Sequence, residues 1–174
     1  NDICSVFEDS EGLIGIGTKK SGVNRFDKKS GTFTRFRHDP GNINTIPDDE
    51  IQSIVEDQQG YLWFASRAKG LIRYDKRTLR FKHFTNDPAD PKSIPQMSIW
   101  ELYLKSDGKI AVIPSTSAVG LVLFDPVTES FEQFKADPDD PYSITTDTVH
   151  DIFEDRNGIL WVVHNNGKVD KSDP

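Results

Sequence analysis

The sequence predicts an all-β protein made of β-propeller blades, each a four-stranded antiparallel meander, with about three and a half blades forming a partial propeller. Three observations predict it. First, Gly12, Gly60, Gly108 and Gly158 stand at steps of 48, 48 and 50 in matching surroundings: VFEDSEGLIGIG, IVEDQQGYLWFA, LYLKSDGKIAVI and IFEDRNGILWVV. Second, the first three copies continue with an aromatic–Asp pair (Phe26-Asp27, Tyr74-Asp75, Phe124-Asp125), two phenylalanines three apart, and an Asp-Pro. Third, the runs between turn signals are short and rich in Ile, Val, Phe, Tyr and Trp, which suits strands and not helices. A fixed period of roughly 20–50 residues means stacked supersecondary units.

The second repeat shows the elements in order. IQSIVED, YLWFAS, LIRYDK and FKHFT are its four strands. The first turn is Asp57-Gln58-Gln59-Gly60, matched by Asp9 to Gly12 and Asp155 to Gly158. An Asp that bonds its own turn amides, with a Gly free to take positive φ three places on, makes a tight hairpin. In the third repeat Asp107-Gly108 reads as a two-residue hairpin. Gly22, Gly70 and Gly120 mark a second turn; Lys28-Lys29-Ser30-Gly31 and Lys76-Arg77-Thr78 mark a third.

Several strands are apolar on both faces, as Ile54-Val55 and Leu62-Trp63-Phe64 show. Such sheets need cover above and below, which a radial stack of blades supplies. A sandwich has no reason to repeat its turn chemistry at one period, and a β-helix repeats much faster. The blades are expected at 1–48, 49–96, 97–146 and 147–174, the last incomplete because it lacks the paired phenylalanines of an outermost strand. With no starting methionine and a first strand almost at Asn1, the chain reads as part of something longer. An open arc leaves two blade faces bare, so closure is expected through the remaining blades or another chain, with a homodimer as a further expectation.

The formal net charge is −7, from 21 Lys and Arg against 28 Asp and Glu, and no run of Lys or Arg exceeds three. That argues against a nucleic-acid surface and against direct membrane contact by this segment. No stretch approaches the roughly 20 apolar residues of a membrane span. The single cysteine, Cys4, rules out an internal disulfide framework.

In the second repeat the string IQSIVEDQQGYLW, GLIRYD, FKHF, NDP, KSI, from Ile51 through Ile94, resembles the regulator-propeller repeat of two-component sensors. Trp63, Trp161 and the Glu-Asp pairs at 8–9, 56–57 and 154–155 fall in register with it. The resemblance implies an extracytoplasmic, periplasmic sensor region of a histidine kinase or hybrid two-component regulator, in a family whose ligands are often oligosaccharides. It implies a non-catalytic binding segment without cofactor, any kinase lying elsewhere in the parent protein. Departures are Gly15 and Ala111 in place of Trp, Lys105 in place of the turn Asp, a two-residue excess within PSTSAVG, and GKVD in place of GLxRYD.

The adjacent carboxylates Glu8-Asp9, Glu56-Asp57 and Glu154-Asp155 point to opposite faces of a strand and cannot form a facing acid–base dyad. They read as turn-forming Asp and ladder-edge Glu, and Trp63 and Trp161 as packing between sheets. His38, His83, His150 and His164 occupy four different places in the repeat, whereas a metal site or a His-dependent lyase needs convergent ligands. Only His150 and His164 are placed where they could meet. The linkers DPADPKSI and DPDDPYSI lack the alternating ligands of a calcium loop and read as turn chemistry. No metal is expected.

A ligand is expected at one rim. In such a blade the loop between the second and third strands and the interblade linker emerge together around the mouth of the axial channel, where loops vary over fixed sheets. That rim carries Lys19-Lys20-Ser21, Arg67-Ala68-Lys69, Ser115-Thr116-Ser117 and His164-Asn165-Asn166. The second residue of each inner strand, Cys4, Gln52, Trp100 and His150 in turn, varies more than its neighbours, as channel-lining positions do. The candidate ligand residues are therefore Trp100, Gln52, His150, Arg67, Lys69, Lys20, Ser115, His164 and Asn165. Trp100 leads them, because an indole near a polar mouth can stack on a sugar ring; the competing reading of this residue is simple packing. The competing expectations are a structural or protein-interaction propeller and, more distantly, a propeller polysaccharide lyase.

Overall fold

A computed structural model describes residues 2–116 and 118–172; Ser117 of the predicted rim lies outside the described residues. Three sheets have four strands and the fourth has three, each a simple antiparallel meander. The first is β1 (Ile3–Glu8), β2 (Ile14–Thr18), β3 (Val23–Asp27) and β4 (Thr32–Phe36); the second is β5 (Ile51–Glu56), β6 (Leu62–Ser66), β7 (Gly70–Asp75) and β8 (Arg80–Phe84). The third is β9 (Ile99–Leu104), β10 (Ile110–Pro114), β11 (Leu121–Asp125) and β12 (Ser130–Phe134); the fourth is β13 (Val149–Glu154), β14 (Leu160–His164) and β15 (Val169–Ser172). No helix occurs among the described residues. Successive inner strands lie together, β1 against β5 and β5 against β9, so the sheets fan as blades of an arc.

The period-2 alternation of a strand explains the double-sided apolar runs. On β6, Leu62 and Phe64 join a core with Val23, Ile46, Ile51 and Ile54 on the side of blade 1. Trp63 and Ala65 join a second core with Ile99, Leu102, Val112 and Phe124 of blade 3. β10 divides likewise, Ile110 and Val112 toward blade 2, Ala111 and Ile113 toward Val149, Ile152 and Val162 of blade 4. All five residues of β6 and of β10 are buried. Each such side chain contributes about 1.5–3 kcal/mol, against less than about 1 for an exposed ion pair, so interblade contact dominates the stability. The arc's two ends are bare: Ile3, Val6 and Phe33 on blade 1 and Phe153 and Val169 on blade 4 are more than half exposed.

In blades 1, 2 and 4 the first turn closes from its Asp. Asp57 Oδ1 accepts the amides of Gln59 and Tyr61 at 2.9 Å each, and Oδ2 accepts the indole N–H of Trp63 at 2.7 Å. Blade 4 repeats this with Asp155 and Trp161. In blade 1, where Gly15 replaces Trp, the Arg25 guanidinium comes from β3 to Asp9 Oδ2 at 2.8 Å. Burial alone would raise the Asp9 carboxyl's pKa, but the Leu13 amide and Arg25 hold it below the usual range. In blade 3, where Ala111 replaces Trp, the Asp is gone too, and Lys105 pairs with Asp107 at 2.8 Å. The expected two-residue hairpin is not found there. Lys105 N–H donates to Lys109 O and Gly108 N–H to Lys105 O, as in the other turns, because the backbone path survives the loss of the capping carboxylate.

In blades 2 and 4 the Glu beside the turn Asp reaches the preceding blade, while Glu8 pairs with Lys28 of its own blade. Glu56 accepts the Ser10 amide at 2.6 Å and hydroxyl at 2.7 Å, and Glu154 does the same to Ser106. Close approach also explains blade 1's glycines: a Cβ on Gly17 would stand 2.8 Å from the Ile51 carbonyl oxygen. At Gly70 (φ +82°), a Cβ would come within 2.3 Å of the Phe84 oxygen, which fixes the second turn as glycine.

Replacing Trp63 by Phe keeps most of the buried ring but leaves Asp57 Oδ2 without its donor. An expected loss of about 1–3 kcal/mol in urea unfolding, against about 3–5 kcal/mol for Trp63→Ala, separates the hydrogen bond from the packing.

Candidate functional site

One device recurs on all four inner strands. Each inner strand breaks register at its second residue: Ile3 pairs with Thr18 and Ser5 with Gly17, skipping Cys4; Ile51 pairs with Ser66 and Ser53 with Ala65, skipping Gln52. Trp100 is skipped between Ile99 and Glu101, and His150 between Val149 and Asp151. A β-bulge leaves its extra residue out of the ladder and re-aims the side chain. The predicted variable position is thus the bulged residue of every blade. Trp100 is half exposed, His150 is exposed, and Cys4 and Gln52 are half-buried.

The second-to-third-strand loops stand beside these bulges, as the sequence predicts. Lys19 N–H donates to Asp2 O, Arg67 to Glu50 O, Ser115 to Ser98 O and Asn165 to Thr148 O, each tying a loop to the linker before its own inner strand. Gly22, Gly70 and Gly120 donate to Asp49, Met97 and Asp147 in the linker of the next blade. Lys20, Lys69, Thr116, Asn165 and Asn166 are exposed on the loops, and Arg67 is half-buried. Ser115 meets the Ser98 hydroxyl, and Gln52 donates to Glu50 at 2.8 Å.

His164 is placed differently from the other rim candidates. It ends β14 with its ring buried, Nε2 2.8 Å from Asp170 Oδ2 and Nδ1 without a protein partner. Asp170 also accepts the Thr145 amide and hydroxyl. Burial opposes the Asp170 charge, but Thr145 and His164 outweigh it and hold its pKa below the usual range. His150 and His164 do not form a pair, since one is exposed on its bulge and the other buried on Asp170. Among the described residues no three His, Cys, Asp or Glu side chains are grouped to hold a metal ion. The linker aspartates form turns instead, Asp87 capping Ala89 and Asp137 capping Asp139.

Sequence reasoning missed Glu101. It lies one residue past Trp100, and burial first, then the neighbouring Asp151, push its pKa up against the opposing effect of His150. The signal was available: the third inner-strand position reads Ser5, Ser53, Glu101, Asp151, polar in every blade. Cys4 is likewise pushed up by burial, with Lys19 opposing.

The fold defines an open arc of β-propeller blades. Residues 45–68 and 143–166, at the start of the second and fourth blades, match the two component regulator propeller family. These are the two blades whose turn Asp holds a Trp. A search of curated proteins gives no match. Among solved structures, the extracellular domain of BT3049 from B. thetaiotaomicron, assigned as a hybrid two component system, superposes with a TM-score of 0.75 at 19% identity, covering 98% of this chain and 23% of that one. The extracellular domain of BT4673 from the same organism, assigned likewise, gives 0.73 at 19%, covering 99% and 21%. PorZ, a surface component of the type-IX secretion system of Porphyromonas gingivalis, gives 0.68 at 18%, covering 98% and 24%. At these identities the likeness is one of fold, and this chain spans less than a quarter of each neighbour. No helix of the described residues is long and apolar enough to cross a membrane.

Glu101 gives a pH test. Its folded pKa is raised, so its charged form is disfavoured by folding and the cost is present above that pKa. Glu101→Gln should unfold at higher temperature than the parent at pH 7, with the difference shrinking as the pH falls and the parent Glu101 protonates. Equal midpoints at pH 7 would contradict the burial argument.

Proposed function

We propose that this chain is part of the periplasmic ligand-sensing propeller of a two-component regulator, a binding segment without catalysis of its own. The ligand, an oligosaccharide or another small molecule, meets the axial mouth. The observation that carries the reading is the bulge repeated at one position in all four inner strands. It holds the backbone constant while presenting a different side chain from each blade, as a site tuned for recognition requires. The indole of Trp100 offers a stacking face, and Arg67, Lys69, Lys20, Asn165 and Ser115 offer polar contacts from the loops. A ligand spanning two blades would bias how they pack, and a kinase in the parent protein would read that bias. The bare end faces are covered by the remaining blades of the ring or by another chain, and a homodimer is one form of that cover.

A second reading, a structural or protein-interaction propeller, is favoured by those bare faces and by PorZ, which has the same fold in a secretion system. A lyase is disfavoured because His150 and His164 do not converge.

Calorimetric titration with a panel of plant and host oligosaccharides tests the first reading. A saturable binder is expected, weakened at least about tenfold by Trp100→Ala and by Arg67→Ala, since truncating an aromatic or Arg anchor costs about 2 kcal/mol. Binding unchanged by both substitutions would remove the mouth as the site; binding of partner proteins alone would favour the scaffold.

A further inference from the structure

The loops between the second and third strands of blades 1 and 2 are strapped to consecutive residues. Gly22 N–H donates to Asp49 O at 2.9 Å and Arg67 N–H to Glu50 O at 3.1 Å, so the loop holding Lys20 and the loop holding Arg67 and Lys69 flank one short stretch of linker. Gly70 N–H donates to Met97 O at 2.8 Å, which ties the second loop to the linker leading into Trp100. Backbone bonds thus bring three cations and one half-exposed indole to the same part of the rim.

In a chain of net charge −7, carboxylates are in excess, yet none is spent on these cations. Asp2, Asp48, Asp49 and Glu50, which immediately precede the two inner strands, are engaged elsewhere. Asp2 pairs with Lys19 at 3.3 Å and Asp49 with Arg37 at 2.6 Å; Asp48 accepts the Ser66 hydroxyl at 2.9 Å and Glu50 the Gln52 amide at 2.8 Å. Lys20, Arg67 and Lys69 have no side-chain hydrogen bond or ion pair among the described residues. Arg67 is the telling one. Its guanidinium has five donors in a fixed fork, and half-burial removes part of its water without supplying a protein acceptor. The matching loops of blades 3 and 4 carry Ser115, Thr116, Asn165 and Asn166, all uncharged, while the inner strands there carry Glu101 and Asp151.

We propose that the ligand of this rim is a sugar bearing an oxyanion group, a carboxylate or a sulfate, with that group held by Arg67, Lys20 and Lys69 and an uncharged ring on Trp100. The inference rests on the ligand-sensing reading above and gives it a chemical class. The Arg67 fork matches two oxygens of such a group, and the lysines add point charges to either side. Glu101 and Asp151 repel a second anionic group on the far side of Trp100, so the ligand is charged at one end only.

The test titrates the protein with sodium glucuronate, glucose 6-sulfate and glucose at one fixed ionic strength, following amide and indole N–H chemical shifts by NMR. At least one of the two anionic sugars is expected to shift the amides of Lys20, Arg67 and Lys69 and the Trp100 indole saturably, and to bind at least about tenfold tighter than glucose. Which of the two does so separates a carboxylate from a sulfate. The double variant Arg67→Gln, Lys69→Gln should abolish that preference while leaving any glucose binding unchanged, and its unperturbed spectrum elsewhere checks the fold. Glucose binding as tightly as either anion, or a preference that survives the double variant, overturns the inference and leaves the ligand-sensing reading standing. No saturable shift at the rim with any of the three overturns it as well, and the oligosaccharide panel then decides the broader reading by itself.

Discussion

The structure depends on one constraint: the middle strands of the second and third blades are apolar and buried on both faces, so each of these blades needs a neighbour on either side. β6 and β10 are the clearest cases, each buried from end to end with alternate residues committed to different neighbours. The hydrophobic effect is non-directional, and it sets the need for stacking without setting its geometry. The geometry comes from polar fasteners at the two rims. On one, Glu56 and Glu154 each grip the turn of the blade before; on the other, the glycine of each second turn donates to the linker of the blade after. The apolar faces hold the blades together and the fasteners fix their register.

The departures from the repeat follow the same logic. A capping Asp with one oxygen on its own turn amides has a second oxygen to satisfy in a nearly buried place, since Asp9 and Asp57 are 6% and 5% exposed. Trp63 and Trp161 supply a donor, and Arg25 supplies one where Gly15 removes the indole. Blade 3 removes both partners together, which avoids leaving a buried carboxylate oxygen unpaired. Gly15 is also what the packing calls for. A Cβ there would already stand 3.3 Å from Ile54 Cδ1, so any side chain at this position requires Ile54 to shift.

The blades, their turns and the shared rim were legible in the sequence because each rests on a local signal repeated at a constant period. The period also exposed Cys4, Gln52, Trp100 and His150 as one column. What it could not reveal is why that column varies: a bulge is a property of pairing between two strands, seen only once Ile51 and Ser53 are matched to Ser66 and Ala65. The inward turn of His164 was hidden for a related reason. Its partner Asp170 occupies a position that reads as core in the sister blades, and only the cross-strand arrangement brings the two together. The Asp–Trp hydrogen bond was foreshadowed by the joint loss of Asp and Trp in blade 3, although packing alone seemed to account for the indole.

Hydrogen–deuterium exchange on the native chain tests the central claim most directly, because protection reports the free energy of opening a strand, which rises with the apolar contacts covering its faces. The account predicts that amides of β6 and β10 exchange slowest and together, near the rate of global unfolding, while those of β2 and β14, each next to a bare end, open sooner. Equal protection across all four second strands in a chain shown to be monomeric, or faster exchange in β6 than in β2, would contradict it.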